Sequence, residues 1–284
     1  MRNQWKPLST PDGRGGCDTL NFMEQAIQSL PVTQAPTFKV LGVGMHAVQI
    51  PDAIAILEGW IENRDSCRYV AVTGMHGISE AVEDPNFRNM LNSASLLVCD
   101  GMPLVWLGRW HGYHMPRRVY GPELMETFCQ QTGSRYRHFF YGGAPDVPES
   151  LAAEMQRRFG IQVAGAYSPP FRTLTPEEDQ QVVAMIEAAR ADVLWIGLST
   201  PKQEKWMYQH RDKLTVPAVI GVGAAFDLNS GRLVQAPRWM RENGLEWLFR
   251  LAVEPRRLWK RYLVRGPIFV WNVGLELLNV RRFD

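Results

Sequence analysis

The sequence predicts a three-layer α/β protein with a helical C-terminal appendage, and three observations support this. Short apolar runs alternate with helical segments from residue 37 to residue 231, as in successive βα units. The runs lack strict apolar–polar alternation, which is typical of strands in a parallel sheet covered on both faces. After Gly231 the chain becomes helical, aromatic and basic, with no strand signal. We therefore expect a Rossmann-like domain with a mostly parallel sheet over 37–231 and a helical appendage over 232–284.

The elements follow one another along the chain. Strands are predicted over 37–45, 68–74, 95–100, 137–143, 161–170, 192–200 and 217–222. Helices are predicted over 51–63, 79–94 with a break before Pro85, 102–112, 121–133, 147–160, 175–191 and 201–214. Pro51 suits a helix start, Gly133 a helix end, and Thr175 an N-cap followed by acidic residues. Residues 1–36, rich in Pro, Gly, Thr and Gln, predict a flexible leader with a short helical pattern over 20–30.

Charge is unevenly distributed along the chain. The formal net charge is +2, but residues 232–284 hold eleven Arg or Lys and five Asp or Glu, a net of +6, so the remainder carries −4. A basic end on a mildly acidic body favours an anionic partner for the appendage: lipid head groups, a diphosphate or nucleic acid.

Cysteine spacing and hydropathy indicate the compartment. The cysteines are Cys17, Cys67, Cys99 and Cys129, and none forms a CxxC pair, which indicates buried thiols in a reducing environment. The N-terminal residues lack an apolar signal-peptide core. The apolar run over 267–280 contains Asn272 and Glu276 and is shorter than the ~20 residues of a membrane span. We expect a cytoplasmic protein.

Asp100 follows the apolar run "LLVC" and precedes a turn at Gly101. A carboxylate there either caps the next helix or acts in catalysis, because ligands of open α/β sheets lie beyond the carboxyl ends of strands. The residue alone favours the cap.

Other strand exits carry glycine and polar residues that suit a phosphate at a helix N-terminus. Candidate substrate-binding residues are His76, Gly101, Gly142, Gly143, Thr200, Lys202, Gln203, Gly223 and Asp227. Each has a plainer interpretation, such as a capped histidine, a solvated lysine or a turn aspartate. No P-loop, complete GxGxxG or metal-ligand spacing is present, so the sequence predicts no metal and no bound cofactor.

Five stretches together carry a resemblance. They are "CDGMPLVW", "RRVYGPELM", "GLSTPKQEKWM", "GVGAAFDLNSGRLVQAPRWM" and "GLEWLFRLAVEPRRLWKRYL", in this order. Over residues 38 to 270 the chain resembles the WecG/TagA/CpsF glycosyltransferases, which include bacterial N-acetylmannosaminyl and N-acetylmannosaminuronyl transferases.

The resemblance implies inverting transfer from a UDP-sugar to a polyprenyl-diphosphate-linked saccharide, without a metal, on the inner face of the plasma membrane. Asp100 matches the family's proposed general base. Thr73 matches a threonine near the donor sugar, Arg118 an arginine suited to a diphosphate, and Gln203 a glutamine of the "PKQE" motif. Because of this match, we favour a catalytic role for Asp100 over the role of a helix N-cap.

One departure concerns the donor sugar. Family members with a mannosamine donor carry Asn in a "TxN" pattern where this chain has Met75, in "TGMHG". The donor is therefore left open among N-acetylmannosamine, its uronate and a hexose such as glucose, with His76 as a possible replacement.

The appendage interleaves aromatic and basic residues, which suits an anionic bilayer surface. Candidate acceptor or membrane contacts are Arg238, Arg256, Arg257, Trp259, Arg261 and Arg265. The alternative is a helix packed on the protein's own core with its basic face in water. No RNA-binding module accompanies the charge, so nucleic acid is not expected. A homo-oligomer stays open.

Two other classes of function remain as alternatives. A nucleotide-binding oxidoreductase or epimerase would need a complete glycine fingerprint, and the chain has only "GVGAAF". A non-catalytic membrane adaptor would not need Asp100, Arg118 and Gln203 to be retained.

Overall fold

A computed structural model describes residues 35–283, and its centre is one eight-stranded sheet. The strands are β1 (Thr37–Val40), β2 (Val43–His46), β3 (Arg68–Thr73), β4 (Leu96–Cys99), β5 (Arg137–Gly142), β6 (Gln162–Tyr167), β7 (Val193–Gly197) and β8 (Ala218–Gly221). Their order in the sheet is β1-β2-β4-β3-β8-β7-β5-β6. The predicted leader and its helical pattern over 20–30 lie outside the described residues, apart from residues 35 and 36.

Every pairing in the sheet is parallel except β1 with β2. The central strands β4, β3, β8 and β7 are buried along almost their whole length. This explains their continuous apolar sequences, since both faces of each strand meet helices. The prediction of a mostly parallel, covered sheet is confirmed.

The first predicted strand, over 37–45, is wrong in its detail. The chain forms an antiparallel hairpin, in which Thr37 pairs with His46 and Val40 with Val43. Leu41 and Gly42 form the two-residue turn with φ of 50° and 79°, the positive values that favoured hairpin turns require. Leu41 is fully buried, so the turn residue continues the apolar pattern and hides the break in the sequence.

The helices agree closely with prediction. They are α1 (Ile50–Asn63), α2 (Met75–Glu83), α3 (Pro85–Asn92), α4 (Met102–Trp110), α5 (Gly121–Thr132), α6 (Val147–Phe159), α7 (Pro176–Ala189), α8 (Lys202–His210), α9 (Ala225–Asn229), α10 (Arg238–Glu242), α11 (Glu246–Val253), α12 (Pro255–Trp259) and α13 (Arg265–Leu277), with a π-helical turn over 260–264. Asp84 caps α3 ahead of Pro85. Thr175 caps α7 in a reciprocal pair with Glu178.

Apolar side chains fill both faces of the sheet. One face packs against α1, α5, α6 and α9, and the other against α2, α3, α4, α7 and α8. The result is the predicted three-layer arrangement.

The last part of the appendage packs against the end of the sheet that carries β1 and β2. Phe269 and Val273 of α13, together with Phe283, belong to the same buried cluster as β1 and β2. Glu276 accepts hydrogen bonds from the backbone N–H of Leu41, at 3.0 and 3.1 Å. Among residues 35–283, no helix is both long and apolar enough to cross a bilayer.

Gly42 offers a test of this docking. Its φ is 79°, and a methyl group there would collide with the carbonyl oxygen of Phe283. We expect Gly42→Ala to lower the free energy of unfolding by about 2 kcal/mol, through backbone strain and displacement of the C-terminal end. Gly44→Ala is the control, because a methyl group there meets its nearest atom at 3.9 Å. Equal thermal unfolding of the two variants would contradict this account.

Candidate active site

A cavity of about 540 Å³ lies at the carboxyl ends of β4, β3, β8 and β7, four neighbouring strands of the sheet. Asp100 follows β4, Gly74 follows β3, Gly223 follows β8, and Thr200 lies beyond β7. The C-terminal segment covers the opening with Arg250, Arg257, Leu258, Lys260, Arg261 and Arg265. The site is therefore built from the sheet edge below and the appendage above.

Asp100 is not the cap of α4. The N-cap is Gly101, and no side chain caps that helix. The Asp100 carboxylate instead lies 3.4 Å from the backbone N–H of Gly121 at the start of α5, and its own N–H binds the Thr73 carbonyl at 2.8 Å. Burial raises the pKa of Asp100 to about 6, against the opposing effect of Arg118. Asp100 is partly buried at the cavity wall, and a carboxyl there whose pKa is raised towards neutrality suits a proton acceptor.

Thr73 and His76 lie beside Asp100, where β3 leads into α2. The Thr73 hydroxyl and the His76 Nδ1 are buried and have no hydrogen-bond partner among residues 35–283. Burial, together with the nearby Arg261 and Arg265, lowers the pKa of His76 to about 4. His76 is therefore neutral at physiological pH and able to bind a polar ligand group.

The start of α8 places a buried polar pair beneath the cavity. Gln203 lines the cavity, and its Nε2 donates to Glu204 Oε1 at 3.1 Å. The Thr200 hydroxyl donates to the same oxygen at 2.8 Å. Gln203 Oε1 and Glu204 Oε2 have no partner within residues 35–283, and burial raises the pKa of Glu204. Because buried polar atoms are normally satisfied, these unpaired acceptors indicate a place for a hydrogen-bond donor.

The remaining wall comes from the loops after β7 and β8. Ser199 adopts a left-handed φ of 64° and, with Thr200, lines the cavity. Gly223, at φ 52°, and Asp227 also line the cavity, and a Cβ at Gly223 would lie 4.0 Å from the Ser199 Cα. Asp227 also lies 3.9 Å from the guanidinium of Arg232.

The cations above the cavity outnumber the acids that pair with them. Arg257 pairs with Glu254 at 2.7 Å, and Arg265 pairs with Glu80. Arg261 forms no salt bridge within residues 35–283, and burial lowers its pKa. Arg261 is partly buried, and a cation in such a place without an anionic partner favours the binding of an anionic ligand.

Arg118 has a different position from the one expected. Its guanidinium pairs with Glu246 of α11, donates to the Asp100 carbonyl at 3.1 Å and lies 4.1 Å from the centre of the Tyr120 ring. It adjoins the cavity without lining it.

Several predicted residues lie away from the cavity. Gly142 and Gly143 pack against Gly197, where the N–H of Gly143 donates to the Gly197 carbonyl at 3.0 Å. These glycines permit close backbone packing, since a side chain at Gly142 would meet Gly197. The others outside the lining are buried Thr73 and the residues Gly101, Lys202, Arg238, Arg256 and Trp259; exposed Lys202 lies over the Phe171 ring at 5.1 Å.

Sequence reasoning did not select several polar residues of this region as site candidates, among them Glu80, Glu204, Glu246, Arg250 and Lys260. Glu204 and Glu246 stand inside the quoted motifs "GLSTPKQEKWM" and "GLEWLFRL", and an acid in an otherwise apolar or basic stretch was the available signal. Within residues 35–283, no three His, Cys, Asp or Glu side chains cluster closely enough to hold a metal ion.

The fold and the site define a class: an α/β protein whose sheet edge carries a cavity lined by a partly buried carboxylate and by several cations. Comparison with known proteins then identifies the family. The model of the glycosyl transferase WecG/TagA/CpsF family matches residues 38–283, and the chain belongs to that family.

Two relatives carry the same name, N-acetylglucosaminyldiphosphoundecaprenol N-acetyl-β-D-mannosaminyltransferase. The protein from Bacillus subtilis (strain 168) is 30% identical over 206 residues, which is 72% of this chain and 77% of the relative. The protein from Bacillus spizizenii (strain ATCC 23059 / NRRL B-14472 / W23) is 29% identical over 186 residues, 65% of this chain and 70% of the relative.

The unpaired cation above the cavity yields a binding prediction. We expect Arg261→Ala to weaken UDP binding about tenfold or more, because a charge-assisted contact in a buried site is lost. Isothermal titration calorimetry measures the effect. Arg256→Ala is the matched control, since this exposed arginine lies outside the cavity lining. Equal losses in both variants would mean that the cavity is not the anion site.

Proposed function

We propose that the protein is an inverting glycosyltransferase that moves a sugar from a UDP-sugar to a polyprenyl-diphosphate-linked saccharide in bacterial surface polysaccharide synthesis. The observation that carries the proposal is the partly buried Asp100 carboxylate, with its raised pKa, in the same cavity as a set of cations from the appendage. The names of the two relatives, whose acceptor is an undecaprenyl-diphosphate-linked sugar, support the acceptor class.

In the proposed reaction, Asp100 takes the proton of the acceptor hydroxyl as that oxygen attacks the anomeric carbon. The new carbon–oxygen bond forms while the bond to the diphosphate breaks, and its electron pair leaves with UDP. A single displacement inverts the anomeric centre. A positioned base of this kind contributes about 10² to 10⁴ in rate.

The leaving UDP needs positive charge. In this proposal the appendage supplies it through Arg257, Arg261 and Arg265 in place of a metal ion, because preorganised cations stabilise charge that develops in the transition state. Arg118, which adjoins the cavity, would add positive charge to the site from the side.

The donor sugar would lie near Thr73 and His76, whose polar atoms are unpaired. Met75 stands at the departure from the "TxN" pattern, so N-acetylmannosamine, its uronate and a hexose all stay within the proposal. Neutral His76 would hydrogen-bond a sugar hydroxyl or acetamido group.

We also propose that the appendage holds the protein on the inner face of the plasma membrane. The exposed large apolar side chains of this segment are Val234, Trp239, Trp247, Leu248, Val253, Trp259, Leu263, Val264, Ile268, Val270, Trp271, Leu277, Leu278 and Val280. Helix α13 thus has one face in the core cluster and another in solvent. Exposed tryptophans beside arginines suit a bilayer interface.

The test of the reaction is UDP release from a panel of UDP-sugars with a polyprenyl-diphosphate-linked acceptor. We expect one donor to support turnover, and Asp100→Asn to lower kcat at least 100-fold with little change in donor binding. Because Asp100 must be ionised, kcat/KM of the native protein should fall as the pH drops through about 6.

Two controls complete this experiment. Asp65→Asn removes an exposed carboxylate and should keep full activity. Asp100→Asn should melt no lower than the native protein, because it removes the desolvation cost of a buried charge. Near-normal turnover of folded Asp100→Asn would refute the base, and no UDP release with any donor would refute the transferase proposal.

A vesicle experiment tests the membrane role separately. Trp259→Ser with Trp271→Ser removes two side chains that are 45% and 68% exposed, and we expect weaker co-sedimentation with anionic vesicles. Binding of the native protein should decrease with salt without vanishing, since charge is screened over ~8 Å at physiological ionic strength and apolar contact is not. Phe171→Ser, in the loop after β6 and 99% exposed, is the control. Unchanged sedimentation of the double variant would exclude this surface.

A further inference from the structure

Glu246 joins the appendage to the sheet domain directly beside Asp100. It is the first residue of α11 and is buried. One carboxylate oxygen pairs with the Arg118 guanidinium, and the other accepts the Tyr120 hydroxyl at 2.9 Å. Among residues 35–283, Arg118 forms its salt bridge with Glu246 and none with the Asp100 carboxylate. Glu246 therefore binds the nearest cation that would otherwise be available to Asp100.

We propose that Glu246 is a positioning residue for the general base: it holds Arg118 on the backbone carbonyl of Asp100 and keeps that guanidinium from pairing with the Asp100 carboxylate. The proposal rests on the role of Asp100 as base. An arginine paired with a carboxylate lowers its pKa by about 1 to 3 units, which would make it a poorer proton acceptor. Glu246 prevents that pairing and adds a negative charge of its own.

The groups around Asp100 act in both directions. Burial raises the pKa of Asp100, Arg118 lowers it, Glu246 raises it, and the Gly121 N–H and Arg261 lower it. Two neutral groups lie close by, the Cys99 thiol and the Tyr120 hydroxyl, whose pKa values burial raises. His76, Glu80 and Asp227 line the same cavity. Among the carboxylates, Glu246 is the one that raises the pKa of Asp100, so its removal and the removal of Arg118 should act with opposite sign.

The experiment measures kcat/KM against pH in the full-length protein. The acid limb of this profile is the pH range in which kcat/KM falls as the base becomes protonated. We expect Glu246→Gln to move the acid limb down by about 1 pH unit, because a negative charge is lost and Arg118 is released towards Asp100. Turnover above the limb should fall roughly threefold, because the base is weaker. Arg118→Gln should move the limb in the other direction, to higher pH, because a positive charge is lost and Glu246 stays. The double variant should lie between the two.

Two comparison variants and one fallback measurement distinguish the positioning role of Glu246 from a role in which it only docks the appendage on the sheet domain. Glu246→Asp keeps the charge and should keep the limb near its native position. Glu276→Gln removes the carboxylate that ties the far end of the appendage to Leu41 and should lower stability without moving the limb. If Glu246→Gln does not fold, the Arg118→Gln profile still decides: an unmoved limb overturns the proposal.

The outcomes also keep this proposal apart from the proposed function. An acid limb that persists in Asp100→Asn would show that Asp100 is not the base, whatever Glu246 does. A limb that is absent in Asp100→Asn but unmoved in Glu246→Gln and Arg118→Gln would keep the base and overturn the role of Glu246.

Discussion

The structure depends on the burial of one carboxylate, Asp100, between the sheet edge and the C-terminal segment. An ionised carboxyl taken out of water is costly, so the chain surrounds it with a backbone N–H, the nearby Arg118 and the more distant Arg261. The balance leaves a carboxyl whose pKa is raised to about 6 rather than one locked in a salt bridge. Arg118 and Gly121 come from the segment that leads into α5, whereas Arg261 comes from the appendage, so the complete set of partners requires the sheet domain and the appendage to be docked.

Sheet order makes this convergence possible. Strands β4, β3, β8 and β7 are neighbours in space although β4 and β7 lie almost a hundred residues apart in the chain. Their exits place Asp100, His76, Thr200 and Gly223 around one cavity. Hydrogen-bond acceptors and cations lie on different sides of the site. The unpaired acceptor atoms belong to Gln203 and Glu204 of the sheet domain, and the cations belong to the appendage.

Much of the fold could be predicted from the sequence because local signals determine it. Apolar runs mark buried strands, and Pro85, Gly133 and Thr175 mark helix boundaries through steric and hydrogen-bonding effects. The hairpin at Leu41 could not be predicted, because a buried leucine at positive φ carries no turn signal.

The candidate site was predictable in part, for a related reason. Residues at strand exits, such as Asp100, Gln203 and Asp227, do line the cavity, whereas Gly142 serves backbone packing that no local pattern distinguishes from phosphate binding. Composition indicated an anionic partner for the basic end, but the choice between Arg256 and Arg257 depends on how α12 is rotated against the sheet domain.

The order of synthesis along the chain has a consequence for the part of the appendage that lines the cavity. Leu41 and Glu276, which bind each other, are separated by 235 positions, and the cations of the appendage that line the cavity lie between residues 250 and 265. A ribosome makes the sheet domain first, and domains fold in that order. A growing chain therefore has the Asp100 carboxylate long before it has these cations, and the cavity gains its full lining only after the appendage has been synthesised and has docked. A chain that carries the sheet domain alone has the carboxylate without the cations that line the cavity beside it.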